Sequence, residues 1–152
     1  MHEIETKILE INKDFIIQKL TELGAVKIKD TRLTVDWYCT EKALESSHPW
    51  YLRVRSTSDG KNEMTWKSLE TFIGNTRQSK EMNIDISDFK KAKLILESIG
   101  LIHYAHQEKD RISFTYKDWS FDLDQYPKMP AYLEIEGTSE EHVGEAIKLL
   151  NL

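Results

Sequence analysis

Polar and hydrophobic residues alternate along most of the chain, which is the pattern of antiparallel strands. Charged and uncharged residues alternate strictly from Glu3 to Ile8, with the two-residue period of a strand. Similar patterns predict further strands over about 25–30, 32–39, 50–57, 62–68, 79–86, 101–108, 111–117, 119–125 and 131–137. Strands therefore dominate the predicted fold.

Three segments show the period of a helix instead. One helix is predicted over about 13–23, after an Asn12 N-cap, and a second over about 88–99, capped by Ser87 or Asp88. A short third helix follows Ser139 and extends to about 150. Loops are predicted over 40–49 and 69–78, and the Asp-Gly pair in 58–61 indicates a tight hairpin.

These elements predict a mainly antiparallel β protein of the α+β class, folded as a single domain over residues 1–152. Eight strands form about the smallest closed barrel that holds a small ligand. Closure also removes the exposed edges of the sheet. We therefore expect a closed, eight-stranded, tunnel-like β-barrel with a few flanking helices.

Composition limits the kind of partner. The net charge of −5 argues against a general nucleic-acid binder. Cys39 has no second cysteine to pair with, so nothing suggests an oxidising compartment. No apolar run approaches the roughly 20 residues of a membrane span, and no signal peptide is visible. We expect a cytoplasmic protein without a membrane or nucleic-acid partner.

Charged residues recur in pairs spaced by two, and the pairs are sorted by sign. The acidic pairs are Glu3 and Glu5, Asp122 and Asp124, and Glu134 and Glu136; the basic pairs are Arg53 and Arg55, and Lys109 and Arg111. One interpretation is a half-exposed sheet whose polar face meets water. The sorting favours bound ions instead, because like charges on one strand face repel each other.

The residue types indicate which ions these are. Carboxylates without His or Cys partners suit Mg²⁺ or Mn²⁺, and arginines clamp phosphate oxygens in bidentate geometry. The histidines show no metal-binding spacing, and His103 and His106 are expected to face different ways on the surface. The pattern therefore predicts a site for phosphates and divalent metal.

Five motifs, in order from residue 3 to residue 137, resemble those of the CYTH family, also called triphosphate tunnel metalloenzymes. The motifs are Glu3-Ile4-Glu5-Thr6-Lys7, Leu52-Arg53-Val54-Arg55, Thr65-Trp66-Lys67, Lys109-Asp110-Arg111, and Asp124 followed by Glu134 and Glu136. A single one of these motifs is weak, but five in order over nearly the whole chain are specific.

The resemblance implies a role for each matching residue. Metal ligands would be Glu3, Glu5, Glu134 and Glu136, with Asp122 and Asp124 beside them. Phosphate ligands would be Lys7, Arg53, Arg55, Lys67, Lys109 and Arg111, of which Lys7, Arg53 and Lys109 would be catalytic. Glu81 is a further substrate-site candidate, because it stands where the family often has an Arg-x-Glu-x-Glu strand, although Ser79 and Asn83 depart from that motif.

Three functions fit this resemblance. The favoured one is metal-dependent hydrolysis of tripolyphosphate or of an organic triphosphate such as ATP or thiamine triphosphate. The alternatives are a class IV adenylate cyclase, which releases cyclic AMP and pyrophosphate, and a non-catalytic module that binds polyphosphate or nucleotide. The protein is expected to be a monomer or a homodimer.

Overall fold

The computed structural model describes residues 2–45 and 50–152. The helices are α1 (Lys13–Glu22), α2 (Glu41–Glu45), α3 (Phe89–Ser98) and α4 (Glu140–Leu149). The strands are β1 (His2–Ile8), β2 (Val26–Cys39), β3 (Trp50–Thr57), β4 (Asn62–Ser68), β5 (Thr71–Ile73), β6 (Thr76–Asp85), β7 (Ile102–Tyr116), β8 (Trp119–Gln125) and β9 (Tyr132–Gly137). In this part of the chain, no helix has the length and apolarity that a membrane crossing needs.

Hydrogen bonding joins the strands in the order β1-β9-β8-β7-β2-β3-β4-β6-β5, and β1 pairs with β6 as well. This last pairing closes eight strands on themselves and leaves β5 outside. The predicted closed, eight-stranded, antiparallel β-barrel is therefore confirmed.

The chain divides into two compact units. The first contains residues 1–2, 32–70 and 79–108, and the second contains residues 3–31, 71–78 and 109–152. Each unit has its own apolar cluster. The single domain over 1–152 stays a prediction.

The core of the second unit lies between two helices and the apolar face of its strands. Alternation along β8 and β9 places Phe121, Leu123, Leu133 and Ile135 on this face, where they are almost wholly buried. The helices α1 and α4 cover them with Ile16, Leu20, Val143 and Ala146, and Leu150 joins them directly after α4. Because the period of a strand is two, the charged residues between these positions face the opposite way.

In the first unit, α3 covers one face of β3. Ala92 and Leu96, one helical turn apart, pack with the buried Val54 and Tyr38. The Tyr38 hydroxyl donates a hydrogen bond to Glu97, at 3.1 Å. Arg53 and Arg55 alternate with the apolar positions of β3 and so face away from this core.

Helix caps agree with the sequence. Asn12, Asp88 and Ser139 accept hydrogen bonds from the amides of Phe15, Lys91 and His142. Of the two residues predicted to cap the second helix, Asp88 is therefore the one that does so.

Some predicted boundaries were wrong. The strands predicted over 25–30 and 32–39 form one strand, β2, and those over 101–108 and 111–117 form one strand, β7. Polar residues suggested breaks, although a strand facing water carries polar residues without interruption.

Both predicted loops also contain regular structure. The loop over 69–78 contains β5, the Gly74-Asn75 turn and the start of β6. Residues 41–45 of the loop over 40–49 form α2, and residues 46–49, with His48, lie outside the described residues.

The prediction for His103 and His106 was wrong in orientation, although both histidines are exposed, as predicted. His103 Nε2 and His106 Nδ1 both lie 2.7 Å from the same oxygen of the buried Asp36. Both histidines face one side because the alternation of exposure along β7 shifts between Tyr104 and Ala105.

Lys93 donates to the other oxygen of Asp36, at 2.9 Å. Burial would raise the pKa of Asp36, but the hydrogen bonds from Lys93, His106 and His103 lower it.

We expect this cluster to make stability depend on pH. The hydrogen bond to Asp36 raises the pKa of His106 above its usual value, with Glu108 contributing. A raised pKa stabilises the fold below about pH 6.5, and this contribution is lost as pH rises through the folded-state pKa. Because His106 is half exposed, the loss should stay below about 1 kcal/mol.

Urea unfolding at pH 6 and pH 8 measures this loss. His106→Gln should remove this component, and His2→Gln should retain it; equal pH dependence in all three proteins would contradict the prediction.

Candidate functional site

A charged face runs across five strands of the second unit. In the strand register, Lys7 lies opposite Glu134, Glu134 opposite Asp122, and Asp124 opposite Arg111. Arg77 of β6 also belongs to this face, because it contacts Glu5 and Glu134. The charged face consists of Glu3, Glu5, Lys7, Arg77, Lys109, Arg111, Asp122, Asp124, Glu134 and Glu136.

Arg111 contacts three carboxylates of the charged face. Its Nε and Nη2 donate to the two oxygens of Asp124, each at 2.6 Å. Nη2 also lies 3.1 Å from Glu134, and Nη1 lies 2.8 Å from Asp122. Burial alone would lower the pKa of Arg111, but these carboxylates raise it. The guanidinium therefore stays charged.

Lys109 is the second buried cation. Its Nζ donates to Asp124 at 2.6 Å and to the Tyr132 hydroxyl at 3.2 Å. Burial and the neighbouring Arg111 lower the pKa of Lys109. Burial would raise the pKa values of Asp124 and Glu134, but Arg111 and Lys109 lower both. The carboxylates are therefore held ionised.

Exposure argues against the half-exposed sheet as the interpretation of the charge pattern in this unit. A polar face in contact with water would carry exposed side chains. Instead, the side chain of Asp124 is 0% exposed, and those of Lys109, Arg111 and Glu134 are only 13–15% exposed. Lys7 is more accessible, with its Nζ 3.2 Å from Glu134 and 4.7 Å from the centre of the Tyr132 ring. The charges form a largely buried network of ion pairs.

Acidic residues meet directly between β1 and β9. Glu5 lies opposite Glu136 in the register, and Glu3 is two residues before Glu5 on the same strand face. Glu5 is buried, whereas Glu3 and Glu136 are half-buried. Like charges directly opposite each other destabilise a sheet. Arg77, which contacts Glu5, offsets part of this repulsion, and a bound cation near the pair would act in the same way.

These carboxylates fit a divalent metal by their chemistry. Oxygen-only ligands are those that Mg²⁺ and Mn²⁺ prefer, and the opposed pair of Glu5 and Glu136 supplies them from two strands. Among residues 2–45 and 50–152, no group of three His, Cys, Asp or Glu side chains is already arranged to hold an ion. The fit to a divalent metal therefore rests on the residue types and on the register.

The predicted basic residues of the first unit form a smaller cluster of their own. Lys67 lies opposite Glu81 in the register, with its Nζ 3.6 Å from that carboxylate. Arg53 Nη2 lies 3.9 Å from Glu81, and Arg55 pairs with Glu63 across β3 and β4. The side chain of Arg53 is only 17% exposed, and its Nε has no hydrogen-bond partner among the described residues. A buried N–H donor without a partner is costly, and an anionic ligand would satisfy it.

Arg77 is a member of the charged face that sequence reasoning missed. It lies in the segment that was predicted as a loop. The strand alternation after the Gly74-Asn75 turn was the signal that could have revealed it.

A cavity of about 460 Å³ opens elsewhere in the second unit, beside α4. Its lining includes Glu140, Glu141 and Glu145, together with Thr6 and Lys148. Three carboxylates would repel a triphosphate. None of the predicted site residues lines this cavity, so we do not assign the triphosphate to it.

The sequence matches the family model described as CYTH domain over residues 1–151, nearly its whole length. The chain belongs to the CYTH family. Enzymes of the CYTH family use divalent metal ions, in agreement with the carboxylates of the charged face. No curated protein sequence is similar enough to this chain to match it.

Solved structures share the CYTH fold at low identity. The PH1012 protein of Pyrococcus horikoshii OT3 is 22% identical, with a TM-score of 0.84 over 99% of this chain and 90% of that chain. A Vibrio parahaemolyticus protein with a provisional adenylate cyclase name is 15% identical, with a TM-score of 0.86 over 100% of this chain and 90% of that chain. HpAC1 of Hippeastrum, whose structure is described with a dominant triphosphatase activity, is 14% identical, with a TM-score of 0.68 over 96% and 84%. At these identities the likeness shows the fold alone.

Proposed function

We propose that this protein is a divalent-metal-dependent enzyme that hydrolyses a linear triphosphate, either tripolyphosphate or an organic triphosphate. The observation that carries the proposal is the buried network of ion pairs around Arg111, formed by residues of the CYTH motifs. Burying charges without a function is costly. Membership in a family of enzymes that use divalent metal ions supports the same conclusion.

The proposed chemistry requires positioning and charge neutralisation more than covalent catalysis. Water attacks the terminal phosphorus, the adjacent P–O–P bond breaks, and orthophosphate leaves from the shortened chain. Lys7, the more accessible cation, and Lys109, which is held beside Asp124, are proposed to neutralise the charge of the terminal phosphate. Arg53, Arg55, Lys67 and Arg111 are proposed to bind the remaining phosphate oxygens.

The acidic residues have the complementary role. Glu3, Glu5, Glu134 and Glu136 are proposed to hold the metal, which when bound would neutralise phosphate oxygens as a Lewis acid. Asp124 has both oxygens occupied by Arg111 and Lys109. Its contribution is therefore proposed to be the orientation of those two cations, with Asp122 supporting Arg111.

Product analysis tests the proposal. The protein is incubated with tripolyphosphate, ATP and thiamine triphosphate, each with Mg²⁺ or Mn²⁺, and the products are separated by ion-exchange chromatography. We expect orthophosphate and the matching diphosphate from at least one substrate. Cyclic AMP with pyrophosphate would instead show the cyclase alternative, and binding of a triphosphate without turnover would show a non-catalytic module.

Glu5→Gln is expected to weaken the binding of the metal more than the binding of the substrate. The amide keeps the shape of the side chain but removes the charge that attracts the ion. The metal concentration that gives half-maximal activity should rise by about 10- to 100-fold, while KM for the triphosphate at saturating metal changes little. A metal titration measures this. Glu145→Gln, in the acidic cavity, is the control and should behave as wild type; an unchanged titration of Glu5→Gln would contradict the metal role.

A further inference from the structure

We infer that the guanidinium of Arg77 is an internal counter-ion that competes with the divalent metal for Glu5 and Glu134. The metal would bind only as this guanidinium leaves the two carboxylates, so Arg77 would set the metal affinity of the free protein. The inference rests on the proposed function, because it takes Glu5 and Glu134 as metal ligands.

Contacts within the second unit carry the inference. Nη2 of Arg77 contacts Glu5 on β1 and lies 3.7 Å from Glu134 on β9. One positive group thus bridges carboxylates of two neighbouring strands. The side chain of Arg77 is only 21% exposed, so water screens these contacts weakly.

The backbone beside Arg77 is fixed to the same unit. The Thr6 hydroxyl donates to the carbonyl oxygen of Asn75, at 3.1 Å, which ties the turn before β6 to β1. Gly74 has a φ of +61°, and a Cβ at this position would overlap the carboxylate of Glu140. A side chain at this position would therefore have to displace the Glu140 carboxylate and adopt a backbone conformation that glycine adopts most readily. These contacts position Arg77 beside Glu5 before any ligand binds.

Charge accounts for the competition. A cation that already neutralises Glu5 and Glu134 reduces their attraction for a second cation, and two positive charges at close range repel each other. Lys7 and Arg111 also lie near Glu134, at 3.2 and 3.1 Å. Arg77 contacts Glu5 as well as Glu134. Its removal should therefore lower the positive charge beside two carboxylates, one on β1 and one on β9, that are proposed to hold the metal.

The test measures Mn²⁺ binding by the full chain without a triphosphate, from the electron paramagnetic resonance signal of free Mn²⁺. Arg77→Gln should bind Mn²⁺ about tenfold more tightly than wild type. A residue that merely supports the ligands would give the opposite result, since losing such a partner typically weakens metal affinity 10- to 100-fold. Unchanged or weaker Mn²⁺ binding by Arg77→Gln would therefore overturn the inference.

Two further variants complete the experiment. Arg77→Lys keeps the positive charge and should bind Mn²⁺ nearly as weakly as wild type; a gain equal to that of Arg77→Gln would exclude a charge effect. Lys27→Gln removes one positive charge from an exposed ion pair with Asp30 in the same unit and should leave the affinity unchanged. If Arg77→Gln does not fold, Arg77→Lys still decides, because tenfold weaker binding by this charge-retaining variant would contradict the competition.

The result is separable from the proposed function. Tighter Mn²⁺ binding by Arg77→Gln, combined with no turnover of any triphosphate by wild type, would leave the inference intact and reject the enzymatic proposal. Turnover by wild type without a gain in Mn²⁺ affinity would reject only the inference.

Discussion

Replacing Asp124 by alanine is expected to lower the free energy of unfolding by about 3 kcal/mol at pH 7. The carboxylate is 0% exposed and accepts hydrogen bonds from Lys109 and Arg111. Its loss leaves two largely buried cations with one fewer partner, and breaking a buried pair in this way costs about 3–5 kcal/mol. The lower end applies because Arg111 keeps Asp122 and Glu134. Urea unfolding measures the change.

Asp30→Ala is the matched control. It also removes an aspartate from an ion pair of the second unit, but this pair with Lys27 is exposed, so the loss should be below about 1 kcal/mol. The folded-state pKa of Asp124 is lowered, so its contribution should be present above about pH 4 and disappear as pH falls further. Equal losses of unfolding free energy for Asp124→Ala and Asp30→Ala would show that the buried network of ion pairs does not stabilise the fold.

Replacing both Arg53 and Arg55 by alanine is expected to lower kcat/KM for the triphosphate by at least about 100-fold while preserving the fold. Removing one fixed donor to developing charge already costs about 100- to 1,000-fold in rate, and here two guanidinium groups are lost. The fold should tolerate this change because Glu81 keeps Lys67 nearby and Glu63 is partly exposed. Kinetics and thermal unfolding of the same preparation separate the two effects.

Arg32→Ala serves as the control for the double variant. Arg32 is an exposed arginine of the first unit, so its removal changes net charge without touching the proposed phosphate ligands. It should keep wild-type kcat/KM. A double variant that retains wild-type activity would remove Arg53 and Arg55 from the proposed site, and one that fails to fold would show that they have a structural role.

The barrel could be predicted from sequence because its strands are amphipathic. Phe121 and Leu123 alternate with Asp122 and Asp124, and such a pattern fixes which side of a strand faces the core. The continuity of β2 and β7 could not be predicted, because a polar residue within a strand and a polar residue in a turn look alike. The small β5 hairpin was missed because Gly74-Asn75 indicated a loop, and β5 has only three residues, too few to show an alternation.

The charged face could be predicted only in part. Motif spacing identified Lys109, Arg111 and Glu134, since their positions recur with a strand period. Arg77 and the contacts of Asp36 depend on which strands become neighbours, and local sequence does not contain this information. The shared orientation of His103 and His106 depends on a shift in alternation at Tyr104 and Ala105, which no pattern of residue types revealed.

The most direct test of the central claim is anomalous X-ray diffraction from crystals of the protein grown with Mn²⁺ and a non-hydrolysable triphosphate analogue. We predict an Mn²⁺ peak at the carboxylates of Glu5 and Glu136, with phosphate density beside Lys109 and Arg111. A peak among the glutamates of the cavity beside α4, with no metal on the charged face, would contradict the assignment of that face as the metal and phosphate site.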